Sequence, residues 1–85
     1  MNLKVFTKID CPNCPAAKEI AKKLEAKGAK VIWCDLDVEE GLSEAVFCDV
    51  LSTPSFIITD DSDTEVKAWR GEVPDLEVIS KELKL

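Results

Sequence analysis

Cys11-Pro12-Asn13-Cys14 constrains this chain more than any other stretch. Two cysteines separated by two residues can close a small disulfide and reopen it. At the start of a helix, the first thiol meets the positive end of the helix dipole and unpaired amide N–H groups, and both favour thiolate over thiol. A cysteine of ordinary pKa, ~8.5, is about 3% thiolate at neutral pH, whereas one lowered to ~7 is about half thiolate. The dipole supplies ~0.3–1 kcal/mol, under one pKa unit, so hydrogen bonds to the sulfur from amides and the second thiol must supply the rest. The motif predicts that Cys11 attacks disulfides and that Cys14 resolves the mixed disulfide, with Pro12 and Asn13 setting the active-site loop.

The hydrophobic pattern places this motif between a strand and a helix. Leu3 to Thr7 reads as a strand with Leu3 and Val5 on one face and Phe6 on the other. Asp10 to Pro15 turns into a helix, with Cys11 at the cap and Pro12 at a first helical position, where no N–H is needed. Pro15 cannot donate back to the Cys11 carbonyl, which loosens the first turn or delays the regular helix. Ala16, Ala17, Ile20, Ala21 and Leu24 form the buried stripe, and Gly28 supplies the stop. Lys30 to Leu36 is a second strand whose run Val31-Ile32-Trp33-Cys34 predicts at least partial cover on both faces. Asp37 and Glu40 have capping-box spacing for a second helix with Leu42, Ala45, Val46 and Val50 buried; Gly41 weakens its first turn. Ser52-Thr53-Pro54 breaks the pattern. Ser55 to Thr59 is a third strand, Asp60 to Thr64 a polar hairpin loop, and Glu65 to Arg70 a fourth strand with Val66 and Ala68 inward. Asp75 to Leu83 is the last helix, with Leu76, Ile79 and Leu83 at helical spacing.

The order is β-α-β-α-β-β-α. It predicts one α/β domain over residues 1–85, with a four-stranded mixed sheet and three helices packed on both faces. Chemistry in such a sheet sits beyond the carboxyl end of a strand, which is where the Cys-x-x-Cys falls. The net charge of −6 argues against nucleic acid as a partner and fits docking against basic patches on other proteins. Charge within a few residues of Met1 argues against a signal peptide, and no apolar run approaches the ~20 residues of a membrane span. The expected location is the cytoplasm, where four cysteines are redox-active, metal-binding or free rather than a fixed disulfide framework. The absence of histidine removes Cys–His nucleophile pairs and Cys2His2 zinc sites.

Three features together resemble the thioredoxin fold in its short, glutaredoxin-sized form. Phe6-Thr7-Lys8-Ile9-Asp10-Cys11-Pro12-Asn13-Cys14 is similar to the glutaredoxin active-site segment. Thr53-Pro54 stands where the family has its cis-proline, and the element order covers nearly the whole chain. The resemblance implies that Cys11 is the nucleophile, that Cys14 resolves, and that Pro54 is cis beside the disulfide. It further implies that the backbone of Thr53 pairs with an extended substrate segment. Lys8 matches the family's glutathione-contacting lysine, with Gly71 and Asp75 as remnants of the rest of that site. Two departures stand out. A single glycine, Gly71, followed by Glu72 replaces the Gly-Gly of glutaredoxins, and Val5 replaces the buried aspartate of thioredoxins, so the Cys14 proton would leave through water or another group.

The combination resembles small glutaredoxin-like proteins that act as thioredoxins. It implies a monomeric electron carrier that reduces disulfide-containing proteins and is recharged by a thioredoxin-reductase-type flavoenzyme. Such a carrier has no tightly bound cofactor beyond the Cys11–Cys14 couple. The alternative is a glutathione-dependent glutaredoxin; the further alternatives are a four-cysteine zinc site or a docking module with spectator thiols. Cys34 and Cys48 read as small buried hydrophobes, with pairing to each other or zinc ligation as rivals. Trp69 covers the core or faces a partner.

Overall fold

The computed structural model describes all residues, 1–85. Its elements are β1 (Asn2–Thr7), α1 (Cys14–Ala26), β2 (Lys30–Asp35), α2 (Glu39–Phe47), β3 (Ser55–Thr59), β4 (Glu65–Arg70) and α3 (Leu76–Glu82). The sheet order is β2-β1-β3-β4, with β1 parallel to β2 and antiparallel to β3, and β3 antiparallel to β4. The four expected strands and three helices are present in the expected order.

The two central strands are covered on both faces. Leu3 and Val5 pack with Ala17, Leu24, Phe56 and Ile79 under α1 and α3. Phe6 packs with Cys34, Ala45, Val50 and Ile57 under α2. This alternation follows from the two-residue period of a strand. At the end of α1, Gly28 takes φ 101°; its N–H donates to the Glu25 carbonyl and that of Ala29 to the Leu24 carbonyl, the two closing bonds of a glycine-terminated helix.

β2 is an edge strand with the partial cover on both faces that its apolar run predicts: Val31 packs half-buried against the α1–α3 cluster, Ile32 and Cys34 pack under α2, and Trp33 is exposed. Two expectations, on β4 and on α2, are corrected. In β4, Val66 is exposed and Trp69 is buried in the α1–α3 cluster. Ala68 alone of the expected inward pair packs under α2, and the register with β3 shifts at Ile58/Thr59.

The second correction concerns α2. Its N-cap is Val38, with no side-chain cap bond, because the Asp37 carboxylate is used elsewhere. Leu42 and Val46, expected in the core, are 50% and 72% exposed, while Gly41 and Ala45 face the sheet. A Cβ on Gly41 would run into the backbone of Asp35. Small residues four apart let the helix approach β2 closely, and that rotates the larger apolar residues outward. Gly41→Ala therefore lowers stability by ~1–3 kcal/mol in urea unfolding, the cost of overpacking, although alanine is the better helix former.

Candidate active site

β1 ends at Thr7, and residues 8–13 carry the chain across the end of the sheet into α1. Cys11 and Cys14 form a disulfide with their Cα atoms 5.3 Å apart. The Cys14 N–H donates to the Cys11 carbonyl at 3.3 Å, so residues 11–14 make a turn. The helix begins at Cys14, with Asn13 at the cap and Pro15 in the first turn. Cys11 and Pro12 thus precede the helix rather than open it. Pro15 removes no bond there, since the first N–H groups of a helix lack intrahelical acceptors anyway. Cys11 keeps 7% of its surface exposed and Cys14 only 2%, so Cys11 is the outer member of the pair.

The register of β3 brings the second half of the site alongside. Phe6 lies opposite Ser55, which sets Pro54, fully buried, across from the end of β1. The Thr53–Pro54 bond is cis. Neither the N–H nor the C=O of Thr53 has a partner within the chain. Ser55 Oγ donates to the Ser52 carbonyl at 2.7 Å and accepts from the Gly71 N–H at 3.1 Å, tying the loop after β4 to the one before β3. Gly71 has φ 77°, and a Cβ there would press on the Ser52 hydroxyl. Asp75 caps α3, accepting from the Glu77 N–H at 2.9 Å.

Lys8 is exposed and lines a cleft of about 500 Å³ with Thr7, Ile9, Lys18, Asp35 and Asp37. Asp37 was not singled out as a site residue from sequence. Its Oδ2 accepts from the Ile9 N–H at 2.7 Å, two residues before Cys11, and its own N–H donates to Asp35 Oδ1 at 2.9 Å. The β2–α2 turn thereby holds the loop that presents the disulfide. The S/T/D-x-x-E spacing that read as a capping box gave no signal of this use.

The other two cysteines lie on the far side of the sheet. Cys34 is buried, Cys48 is half-buried, and both are free. No group of three or more metal-ligating side chains converges, so the four cysteines are not gathered at one point. Burial, with help from the Glu44 carboxylate, pushes the Cys34 thiol up to about 11. Burial raises Cys48 as well, against the pull of the Lys4 ammonium. Lys4 itself is a buried cation that the strand pattern did not reveal. Its Nζ lies 2.6 Å from Glu44 Oε1 and 2.8 Å from Asp63 Oδ1. Burial alone would lower its pKa, but these two hydrogen bonds carry it above the usual lysine range.

The site defines a class: a small α/β domain with a Cys-x-x-Cys disulfide beyond its first strand and a cis-proline loop beside it. The chain is a thioredoxin-fold protein. It is 32% identical over 59 residues to a probable thioredoxin of Archaeoglobus fulgidus, a match that spans 68% of this chain and 65% of that relative. Among solved structures it is similar to thioredoxin-2, described as a component of malaria parasite protein secretion machinery. The TM-score is 0.82 at 20% identity, covering 96% of this chain and 79% of that one. It is also similar to thioredoxin 1 of Thermosipho africanus, with TM-score 0.69 at 21% identity, covering 99% and 96%. No family model matches the sequence.

In the folded, reduced protein, alkylation of Cys34 stays slow and flat through neutral pH and rises only as pH approaches about 11. A pH series with iodoacetamide, read by peptide mass, checks this; labelling of Cys34 with a midpoint near ~8.5 contradicts its buried placement.

Proposed function

We propose that the protein is a thiol–disulfide oxidoreductase that reduces disulfides of other proteins through Cys11 and Cys14. The observation that carries this is the disulfide at the sheet end, with Cys11 its more exposed member, and, in the loop that enters β3 at the same end, a Thr53 backbone with both hydrogen-bonding groups unpaired. An extended substrate segment has donor and acceptor available there, as in strand addition.

In the reduced protein the Cys11 thiolate attacks a substrate disulfide R–S–S–R′, forming a Cys11–S–S–R bond and releasing R′S⁻. The Cys14 thiolate then attacks Cys11 Sγ, forming the Cys11–Cys14 bond and releasing RS⁻. Two electrons pass from the protein dithiol to the substrate, and the released thiolates take up protons. Val5, where a thioredoxin carries its aspartate, is fully buried among apolar side chains, so the Cys14 proton leaves through solvent at the mouth of the site.

A thioredoxin-reductase-type flavoenzyme is the reductant this reading favours, in the cytoplasm. Glu72 follows Gly71 where the resembling glutaredoxins have a second glycine, and its carboxylate would repel those of glutathione, which disfavours the tripeptide. Parallel recharging assays, with glutathione and its reductase or with a thioredoxin-reductase-type flavoenzyme, separate the two.

Cys11→Ser abolishes reduction of insulin disulfides, while Cys14→Ser accumulates a mixed disulfide visible on a non-reducing gel. Retained turnover in Cys11→Ser would falsify the assignment of the nucleophile.

A further inference from the structure

We propose that the protein selects disulfides embedded in segments that combine apolar residues with lysine or arginine. This rests on the reading of Cys11 as the attacking thiol.

Charge at the disulfide end is the first observation. Four loops meet there, at residues 8–13, 36–38, 48–54 and 71–75. They carry Asp10, Asp37, Asp49, Glu72 and Asp75 against one cation, Lys8. The chain has no lysine or arginine between Lys30 and Lys67, yet it carries ten acidic residues there. Two cations that reach the α2 side are already committed. Lys4 is held by Glu44 and Asp63, and Arg70 by Glu65 at 2.6 Å and the Cys48 carbonyl at 2.9 Å. From α1, Lys18 lines the same cleft as Lys8, so the five acids of the loops face two cations, and Lys22 and Lys23 lie further along the helix. A segment docked on Thr53 therefore meets a net negative rim.

Apolar exposure in the same loops is the second observation. Ile9, Val38 and Leu51 come from three of them and are 83%, 47% and 96% exposed. Phe47, at the end of α2, is exposed too. Ile9 lies two residues before Cys11 and Leu51 three before Pro54, so these side chains bracket the exchange site. Charges of a substrate act over a screening length of ~8 Å at physiological salt. At ~3.3 Å per extended residue, the two or three positions on either side of the cystine decide the preference.

The test uses pre-reduced protein in single turnover, so that no recharging system is needed. Three synthetic peptides share one cystine and the same apolar neighbours but carry Lys, Gln or Glu at the flanks. Each second-order rate constant is divided by that for dithiothreitol, which is uncharged, to remove differences in intrinsic reactivity. The expected order is Lys, then Gln, then Glu, with about tenfold between the extremes at ~20 mM salt. The spread falls to within about twofold at ~0.5 M salt. In the double variant Glu72→Lys with Asp49→Asn, the Lys-to-Glu ratio drops to about threefold; asparagine tolerates the positive φ of 59° at position 49. Equal constants at low salt, or the reverse order, overturn the proposed selectivity while leaving the oxidoreductase reading intact. No electron transfer to any peptide overturns the oxidoreductase reading itself.

Discussion

The antiparallel register of β1 with β3 is the constraint on which the site depends. With Phe6 opposite Ser55, the loop leaving β1 and the loop entering β3 emerge side by side. The first carries Cys11, the second the Thr53–Pro54 bond. Both strands are buried on both faces, so a slip of one residue would drive Leu3, Val5, Phe56 and Ile58 across to the thinner side of the sheet. The hydrophobic pattern that specifies the core thus also fixes the distance between the halves of the site. Hydrogen bonds complete the arrangement from two other loops: Asp37 holds Ile9, and Ser55 Oγ joins Ser52 to Gly71.

The two sides of the sheet are built differently. Under α1 and α3 lies a broad apolar cluster that takes in Trp69. Under α2 the cover is thin, and a buried lysine occupies part of the space, with clefts of about 370 and 240 Å³ beside it. Burying an ammonium is costly unless it is paired and hydrogen-bonded, and Glu44 and Asp63 do both for Lys4. The same thinness lets α2 lie close through Gly41 and Ala45, which leaves Leu42, Val46 and Phe47 in solvent.

Much of this was legible in the residues. Turn chemistry and alternation gave β3 and β4 their observed ends, Gly28 stopped α1, and Asp75 capped α3. The Cys-x-x-Cys and Thr-Pro stretches announced the halves of the site. What escaped was decided by tertiary partners. A helical wheel selects large apolar residues for the buried face, whereas α2 is positioned by its smallest ones. Asp37 has cap spacing, but an unpaired N–H at Ile9 claims its carboxylate. Lys4 reads as the polar residue of an alternating strand until two acids far along the chain close over it. Cys11 sits in a turn before α1 because Pro15, not Pro12, takes the first-turn position.

On the proposed mechanism, everything converges on one sulfur being ionised and reachable at neutral pH while its partner is neither. The most direct measurement is the pH dependence of iodoacetamide labelling at Cys11 and Cys14 in the reduced protein, resolved by peptide mass. The account predicts that Cys11 is labelled first, with a midpoint well below the ~8.5 of a free cysteine, and that Cys14 lags across the range. Equal labelling of the two, or a Cys11 midpoint at the free-cysteine value, would contradict it and leave a thioredoxin-shaped module whose thiols are spectators.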